Sequence, residues 1–490
     1  MTDPTLLGID IGTSATKAVL ARPDGTIVAE ARRRHAMSLP SPGLAEFDAD
    51  AVWWRDVCAV CRELAPLAGD SLSGVCVSGI GPCVVPCDAR LAPLRPAILY
   101  GIDTRANVEV EDLTALLGEE AILARGGSAL SSQALGPKLL WLRRHEPDVW
   151  RDTRTWHMAS SFVVARLTGV SVLDHHSASQ CDPFYDLGTA SWADDWIGEI
   201  VPGVPFPELV HAADIVGAVT PAAADATGLR AGTPVAAGTI DAWAEAHSVG
   251  VRRPGDLMLM YGSTMFAVHV VEEARPHPLL WTTQGLEPGT RTHAAGTSTG
   301  GSLVEWLREL VGAPEWETLV AEAAAAPAGA GGLLLLPYFA GERTPIYDPL
   351  ARGVVAGLTL RHRRGDLLRA AYEGIAAGIR QIFDLLAEAA GPPGRIVVAG
   401  GGTHSDVWLQ IVSDLTGQVQ HVPEQTIGAA YGDALLAAAG VGLVGSETDW
   451  ARPARVVAPN DDARAVYEEL YPRYPQLYAA TVDIVHQLQE

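Results

Sequence analysis

The chain has 490 residues, with 35 Lys and Arg against 58 Asp and Glu, a formal net charge of −23. That balance excludes a protein whose main partner is the phosphate backbone of nucleic acid, because like charges repel at long range. Hydrophobic residues at 48% and charged residues at 19% describe a globular chain, long enough for roughly two to four domains.

The start, Met1-Thr2-Asp3-Pro4, carries neither a basic region nor an apolar leader. No apolar run nears the roughly 20 residues that cross a bilayer. The expectation is a soluble, cytoplasmic protein. Six cysteines are too few for a disulfide scaffold. Cys58-x2-Cys61 and Cys83-x3-Cys87 superficially match a four-thiolate zinc site. However, Cys58 and Cys61 fall in a segment, Val52–Leu64, with helical periodicity, where they serve as small core residues.

Short apolar strands alternate with helical stretches, the pattern of an α/β fold. Leu6–Leu20 reads as two strands joined by the Gly12-Thr13-Ser14 turn. Asp24-Gly25 then leads into a third strand, Thr26–Ala29. The chain therefore opens on a β-meander rather than the strand–helix unit of a dinucleotide fold. Asp256–Val268 repeats the theme, strand, Gly262-Ser263-Thr264 turn, strand. The repeat predicts two related halves, 1–250 and 251–490, joined at the Pro/Gly turn Gly250–Gly255. Later come a strand Leu333–Leu336 and a strand Arg395–Ala399 that runs into Gly400-Gly401-Gly402 and a helix. His175-His176 reads as loop. Arg361–Arg364 reads as a solvated basic loop before Asp366, the expected N-cap of a helix carrying Leu368, Ala371, Ile375, Ile379, Ile382 and Leu386 at helical spacing.

Four places could carry chemistry. In Asp10-x-Gly12-Thr13-Ser14-x2-Lys17, a tight turn offers backbone N–H groups and hydroxyls to an anion, Lys17 could reach a phosphate, and Asp10 could hold Mg²⁺ through water. The alternative is an ordinary hairpin turn. Asp241 follows a buried strand, Pro234–Gly238, at the start of a helix. It is either an N-cap or a general base for an alcohol in phosphoryl transfer. Gly400-Gly401-Gly402 permits close backbone approach to a ligand at a helix start, or is a tight strand-to-helix turn. Neither GxGxxG nor GxxxxGK[ST] is present.

The order of these features resembles the FGGY family of carbohydrate kinases, within the actin-like ATPase superfamily. One family signature is present in part, Lys138-Leu139-Leu140-Trp141-Leu142-Arg143-Arg144-His145, with Leu135 where a small residue or Pro is usual. A second is complete, Gly353–Leu358 followed by Asp366-Leu367-x2-Ala370-Ala371-Tyr372-Glu373. Pro337–Pro345 also looks like the family's, and the resemblance spans about Leu6 to about Gly440.

The resemblance implies an α/β protein of two RNase H-like domains with an interdomain catalytic cleft. Sugar would lie mainly on the first domain and ATP mainly on the second. Asp10 would be the metal-associated aspartate, and Gly12, Thr13, Ser14 and Lys17 the first phosphate loop. Gly262, Ser263 and Thr264 would form the second, and Gly400, Gly401, Gly402 and Ser405, with Trp408 beyond, the adenosine loop. Asp241 would be the general base.

On the sugar side, Gly81 and Pro82 stand where xylulokinases tend to show Gln-Met-His. Ala242 follows the base as in ribulokinases. Asp103 and Arg105 match an aromatic-x2-Asp-x-Arg region, either as sugar contacts or as an interdomain salt bridge. The implied activity is ATP- and Mg²⁺-dependent phosphorylation of a ketopentose. A polyol of the erythritol or glycerol type, or a non-catalytic ATP sensor, are the alternatives. The partners implied are a small sugar and ATP, with a homodimer as the open assembly state, and neither nucleic acid nor membrane.

Overall fold

The computed structural model describes residues 3–425, 427–445 and 447–488. It contains two compact units. The first comprises Met1–Arg252, Thr282–Arg291 and Ile427–Trp450. The second comprises Arg253–Trp281, Thr292–Thr426 and Ala451–Glu490. Neither unit is a single run of chain.

In the first unit, β1 (Thr5–Ile11) pairs antiparallel with β2 (Ala15–Ala21), and β2 with β3 (Ile27–Arg34). β1 is buried along its whole length, Asp10 included, as in a strand covered on both faces. β3 runs beyond the expected Ala29. Past Ala29 it carries Glu30, Arg32, Arg33 and Arg34, and its exposure alternates along the strand, which marks an edge strand that an apolar-run criterion does not detect. The helix α1 (Arg55–Ala68) buries Cys58 and Cys61. Then β4 (Leu72–Gly79) returns parallel to β1.

The remaining strands are β5 (Ile215–Ala218), β6 (Pro234–Ala236) and β7 (Thr239–Ile240). The spatial order is β5–β6–β4–β1–β2–β3, with β7 parallel to β4. β7 hands the chain directly to α2 (Asp241–Ser248). The helix Ala429–Gly440 packs on β1 through alanines. The approach is close enough that a Cβ on Gly8 would lie 1.9 Å from the Ala430 carbonyl oxygen.

The second unit repeats the opening arrangement. β8 (Asp256–Tyr261) pairs antiparallel with β9 (Met265–Val271) and parallel with β10 (Arg395–Ala399). Beyond β10 come β11 (Gln420–Pro423), parallel, and β12 (Pro453–Val457), antiparallel. Three helices matter here: α3 (Gly301–Leu310), α4 (Arg364–Ala390) and α5 (Asp406–Thr416). α4 buries Leu368, Ala371, Ile375, Ile379, Ile382 and Leu386 as their spacing predicted, and forms the spine of this unit's core.

Three local readings need correction. His175 and His176 are helical, in the single turn His175–Ala178, because the Asp174 carboxylate accepts from Ser177 N–H and starts a helix there. Asp366 is the third residue of α4 rather than its N-cap. Its carboxylate reaches back to the Arg363 N–H at 2.7 Å, which is the acidic half of a capping box. Arg364, read as loop, opens α4 and pairs with Glu322 at 2.7 Å.

The four cysteines considered for zinc lie buried as free thiols, Cys87 closing the short strand Val85–Cys87. Among the described residues, no group of three or more His, Cys, Asp and Glu side chains is placed to hold a metal ion. Among them, too, no helix is long and apolar enough to cross a membrane.

Candidate active site

Parallel strands deliver their C-terminal ends, and the loops that follow, to one edge of a sheet. In the first unit the register sets Asp10 beside Ser78 and Ser78 beside Thr239. Asp241 lies two residues past Thr239 and opens α2. It is the first helical residue, not the N-cap, and its Oδ1 accepts from the Ala242 N–H at 2.8 Å. Burial, then the neighbouring Asp10 and Glu245 carboxyls, push Asp241 up to about 7. An acid with that value holds and releases a proton near neutral pH, as a general base must.

Asp10 is 4% exposed, and its buried Oδ1 has no hydrogen-bond partner. Its Oδ2 lies 3.6 Å from Lys17 Nζ. Burial raises its pKa, opposed by Lys17 and His35. Glu245, one helical turn after Asp241, is also raised by burial and by Asp10. Asp433, from the alanine-rich helix, accepts from Ser78 N–H at 3.1 Å and Ser78 Oγ at 2.6 Å. Burial holds its carboxyl well above the usual range. Desolvation and mutual repulsion thus both act to keep protons on this group of acids.

The Gly12–Ser14 turn is closed by Gly12 N–H on the Ala15 carbonyl at 3.1 Å. Thr13 Oγ1 meets Tyr100 OH at 3.1 Å, and Ser14 is exposed. Gly81 packs against Ile240, the residue before Asp241. A Cβ there would lie 2.7 Å from Ile240 Cγ1. The Gly81–Pro82 loop therefore sits beside the candidate base.

Asp103 and Arg105 are committed to each other. Arg105 Nε donates to Asp103 Oδ1 at 2.8 Å and its terminal nitrogen to Oδ2 at 2.7 Å, with Glu46 at 2.8 Å. Asp103 is fully buried, and its Oδ2 also accepts from Ala45 N–H. The pair is an ion pair inside the first unit, not the interdomain bridge considered from sequence. The signature residue Lys138 is fully buried. It donates to the carbonyls of Ser132 and Ala134, and burial lowers it to about 8.

In the second unit β8 and β10 are adjacent and parallel, so the Gly262–Thr264 turn and the Gly400–Gly402 loop come together at their ends. A Cβ on Gly400 would lie 2.7 Å from the Tyr261 carbonyl oxygen. On Gly402 it would lie 2.8 Å from both Tyr261 Cβ and Trp408 Cζ3. Trp408 is sandwiched by Tyr372, stacked at 5.0 Å, and Tyr261, edge-on at 5.2 Å. Ser405 caps α5 by accepting from Trp408 N–H at 3.3 Å.

Several residues around these loops escaped the sequence reading. Gly301 N–H donates to Gly262 O at 2.9 Å, and Ser302 donates to Ser263 O from its N–H at 3.1 Å and its Oγ at 2.8 Å. The run Thr299-Gly300-Gly301-Ser302 ahead of a helix was the available signal. Glu245 was legible from its four-residue spacing to Asp241. Asp433 was visible as a lone charge in an apolar helix. His35 and Asp56 had no local signal.

The family model of the N-terminal domain of FGGY carbohydrate kinases matches residues 5–247, and that of the C-terminal domain matches residues 257–441. A protein named xylulose kinase from Escherichia coli strain K12 is 30% identical over 442 residues, 88% of this chain and 89% of that protein. One of the same name from Bacillus subtilis strain 168 is 29% identical over 490 residues, 98% of this chain and 97% of the other. The crystal structure of xylulose kinase from Rhodospirillum rubrum superposes with a TM-score of 0.91 at 35% identity, covering 98% of this chain and all of that one. With these matches spanning nearly its whole length, the chain belongs to the FGGY family of carbohydrate kinases and is an ATP-dependent sugar kinase.

Proposed function

We propose that the chain transfers the γ-phosphoryl group of ATP to a terminal hydroxyl of a ketopentose of the xylulose or ribulose type, with Asp241 as the general base. One observation carries the reading. A carboxyl pushed up to about 7 stands at the C-terminal ends of the parallel strands β1, β4 and β7, beside the turn that would hold phosphate. The relatives named for xylulose support the substrate class.

Asp241 accepts the hydroxyl proton as the sugar oxygen attacks in line. The N–H groups of Thr13 and Ser14, with Lys17, neutralise phosphate oxygens from the first domain, 1–250. In the second, 251–490, the Gly262–Thr264 turn is the other phosphate loop, and Gly400–Gly402 and Ser405 take the adenosine. The sugar lies against Gly81 and Pro82. Asp103 and Arg105 support that side as an ion pair.

The residues fit Mg²⁺. Asp10 offers an unpartnered buried oxygen, and a cation that keeps its waters needs only one or two carboxylates. When bound, Mg²⁺ supplies positive charge to the β- and γ-phosphate oxygens.

The test is ADP release with Mg-ATP across ketopentoses, ketohexoses and polyols, with Asp241→Asn in parallel. The expected result is stimulation by a ketopentose that the variant loses. Stimulation only by glycerol or erythritol, or turnover unchanged in Asp241→Asn, would overturn it.

A further inference from the structure

His35 is the first residue after β3, 21 residues before Asp56 in the chain and 23 after Gly12. It nevertheless joins both. Its Nε2 lies 2.9 Å from the Gly12 carbonyl oxygen and its Nδ1 lies 2.9 Å from Asp56 Oδ2. Its own N–H donates to the Ser14 carbonyl at 3.0 Å. The side chains of His35 and Asp56 are 2% and 4% exposed. Phe47 meets the imidazole edge-on at 5.2 Å. Arg55 donates to the other Asp56 oxygen at 2.9 Å. Of the more distant charges, Asp10 interacts with His35 electrostatically and Lys17 with Asp10.

A carbonyl oxygen only accepts, so Nε2 carries hydrogen and donates to Gly12. On the other side, one proton lies on the axis between Nδ1 and Asp56, whichever atom holds it. The ring is thus fixed at both nitrogens in a buried site, where such bonds are strongest. The Gly12–Thr13 peptide is trans and planar, with its N–H directed opposite its carbonyl. Holding the Gly12 carbonyl therefore sets the direction of the Thr13 N–H.

We propose that His35 is a positioning residue for the nucleotide. It draws the carbonyls of Gly12 and Ser14 to one side of the turn and so presents the Thr13 N–H on the other, to a phosphate oxygen. This rests on the reading of Gly12–Ser14 as a phosphate loop. Without His35 the peptide is free to rotate, and the turn must be ordered at each binding event.

The experiment compares wild type, His35→Ala, His35→Gln and Asp56→Asn by steady-state kinetics with ATP and D-xylulose, with a thermal melt for each. Loss of one buried hydrogen bond predicts a KM for ATP about tenfold higher in His35→Ala, with the KM for D-xylulose within about twofold of wild type. The Gln amide occupies the position of Nε2 and can donate to Gly12. His35→Gln should return to within about threefold of wild type. Asp56→Asn, which weakens the anchor but keeps an acceptor, should raise the KM for ATP about threefold.

A folded His35→Ala with an unchanged KM for ATP overturns the proposal. So do KM values that rise alike for both substrates, or a Gln variant no better than Ala. If His35→Ala does not fold, Asp56→Asn and His35→Gln decide by the same criterion. Failure of the kinase reading itself would look different. Wild type would release no ADP with any sugar and would not bind ATP, and both proposals would fall before any variant was compared.

Discussion

Asp241→Asn separates catalysis from stability in one substitution. Asn keeps an oxygen for the Ala242 N–H but cannot accept the hydroxyl proton, so kcat should fall by about 10²–10⁴. Stability should move the other way. Burial first, and then Asp10, lift the Asp241 carboxyl from 3.8 to about 7. At about 1.36 kcal/mol per pKa unit, ionising it in the folded chain at pH 8 costs up to about 4 kcal/mol. The side chain is partly exposed, and solvent screening reduces this to about 2 kcal/mol.

A folded-state pKa above the unfolded one stabilises below the unfolded value, and that contribution is lost as pH rises through the folded value. The variant should therefore match wild type near pH 4. Its advantage should grow up to about pH 7 and stay level above it. With an unfolding entropy of about 2.1 cal/mol/K per residue, the gain at pH 8 is about 2 °C in Tm. Differential scanning fluorimetry across this range, paired with ADP release, reads both effects. A Tm difference independent of pH, or a kcat unchanged in the variant, would refute the argument. The same titration predicts that wild-type kcat/KM rises with pH through about 7.

Arg105→Ala strands the fully buried Asp103 carboxylate and should destabilise the chain by about 3–5 kcal/mol in urea denaturation. If Asp103 instead contacted sugar directly, the KM for sugar would rise with little loss of stability. Gly8→Ala places a methyl group 1.9 Å from the Ala430 oxygen. That should cost about 3 kcal/mol or more, read as a lowered denaturation midpoint. Gly402→Ala pushes on Tyr261 and Trp408, each 2.8 Å from the new carbon. The expected kinetic result is a KM for ATP raised about tenfold with the KM for sugar unchanged.

Some of this molecule was legible along the chain because the interactions responsible are local. Both opening hairpins follow from apolar runs around a Gly-containing turn. α4 follows from one apolar residue every three or four positions over 27 residues. A buried strand running into a helix singled out Asp241 and left N-cap and general base open, and the family resemblance implied the base. The errors were local as well. The edge strand β3 continues past its apolar start through Glu30 and three arginines, and the capping carboxylate of Asp366 acts from inside its helix.

What the amino-acid sequence determined by itself is therefore the alternation of strand, glycine turn and helix, and the positions of Asp10, Asp241 and the glycine loops within it. Tertiary structure decided which groups share an environment. Ser78 and Asp433 meet across 355 residues of sequence, and Glu46 reaches Arg105 across 59. Such pairs leave no periodic trace, because a strand or helix presents the same pattern whatever polar partner arrives from elsewhere. The elevated pKa of Asp241 belongs to the same class. It arises from burial and from Asp10, a residue 231 positions away that parallel strand pairing through β4 brings close. Desolvation and Coulomb repulsion act through space, so they appear only once the sheet is assembled.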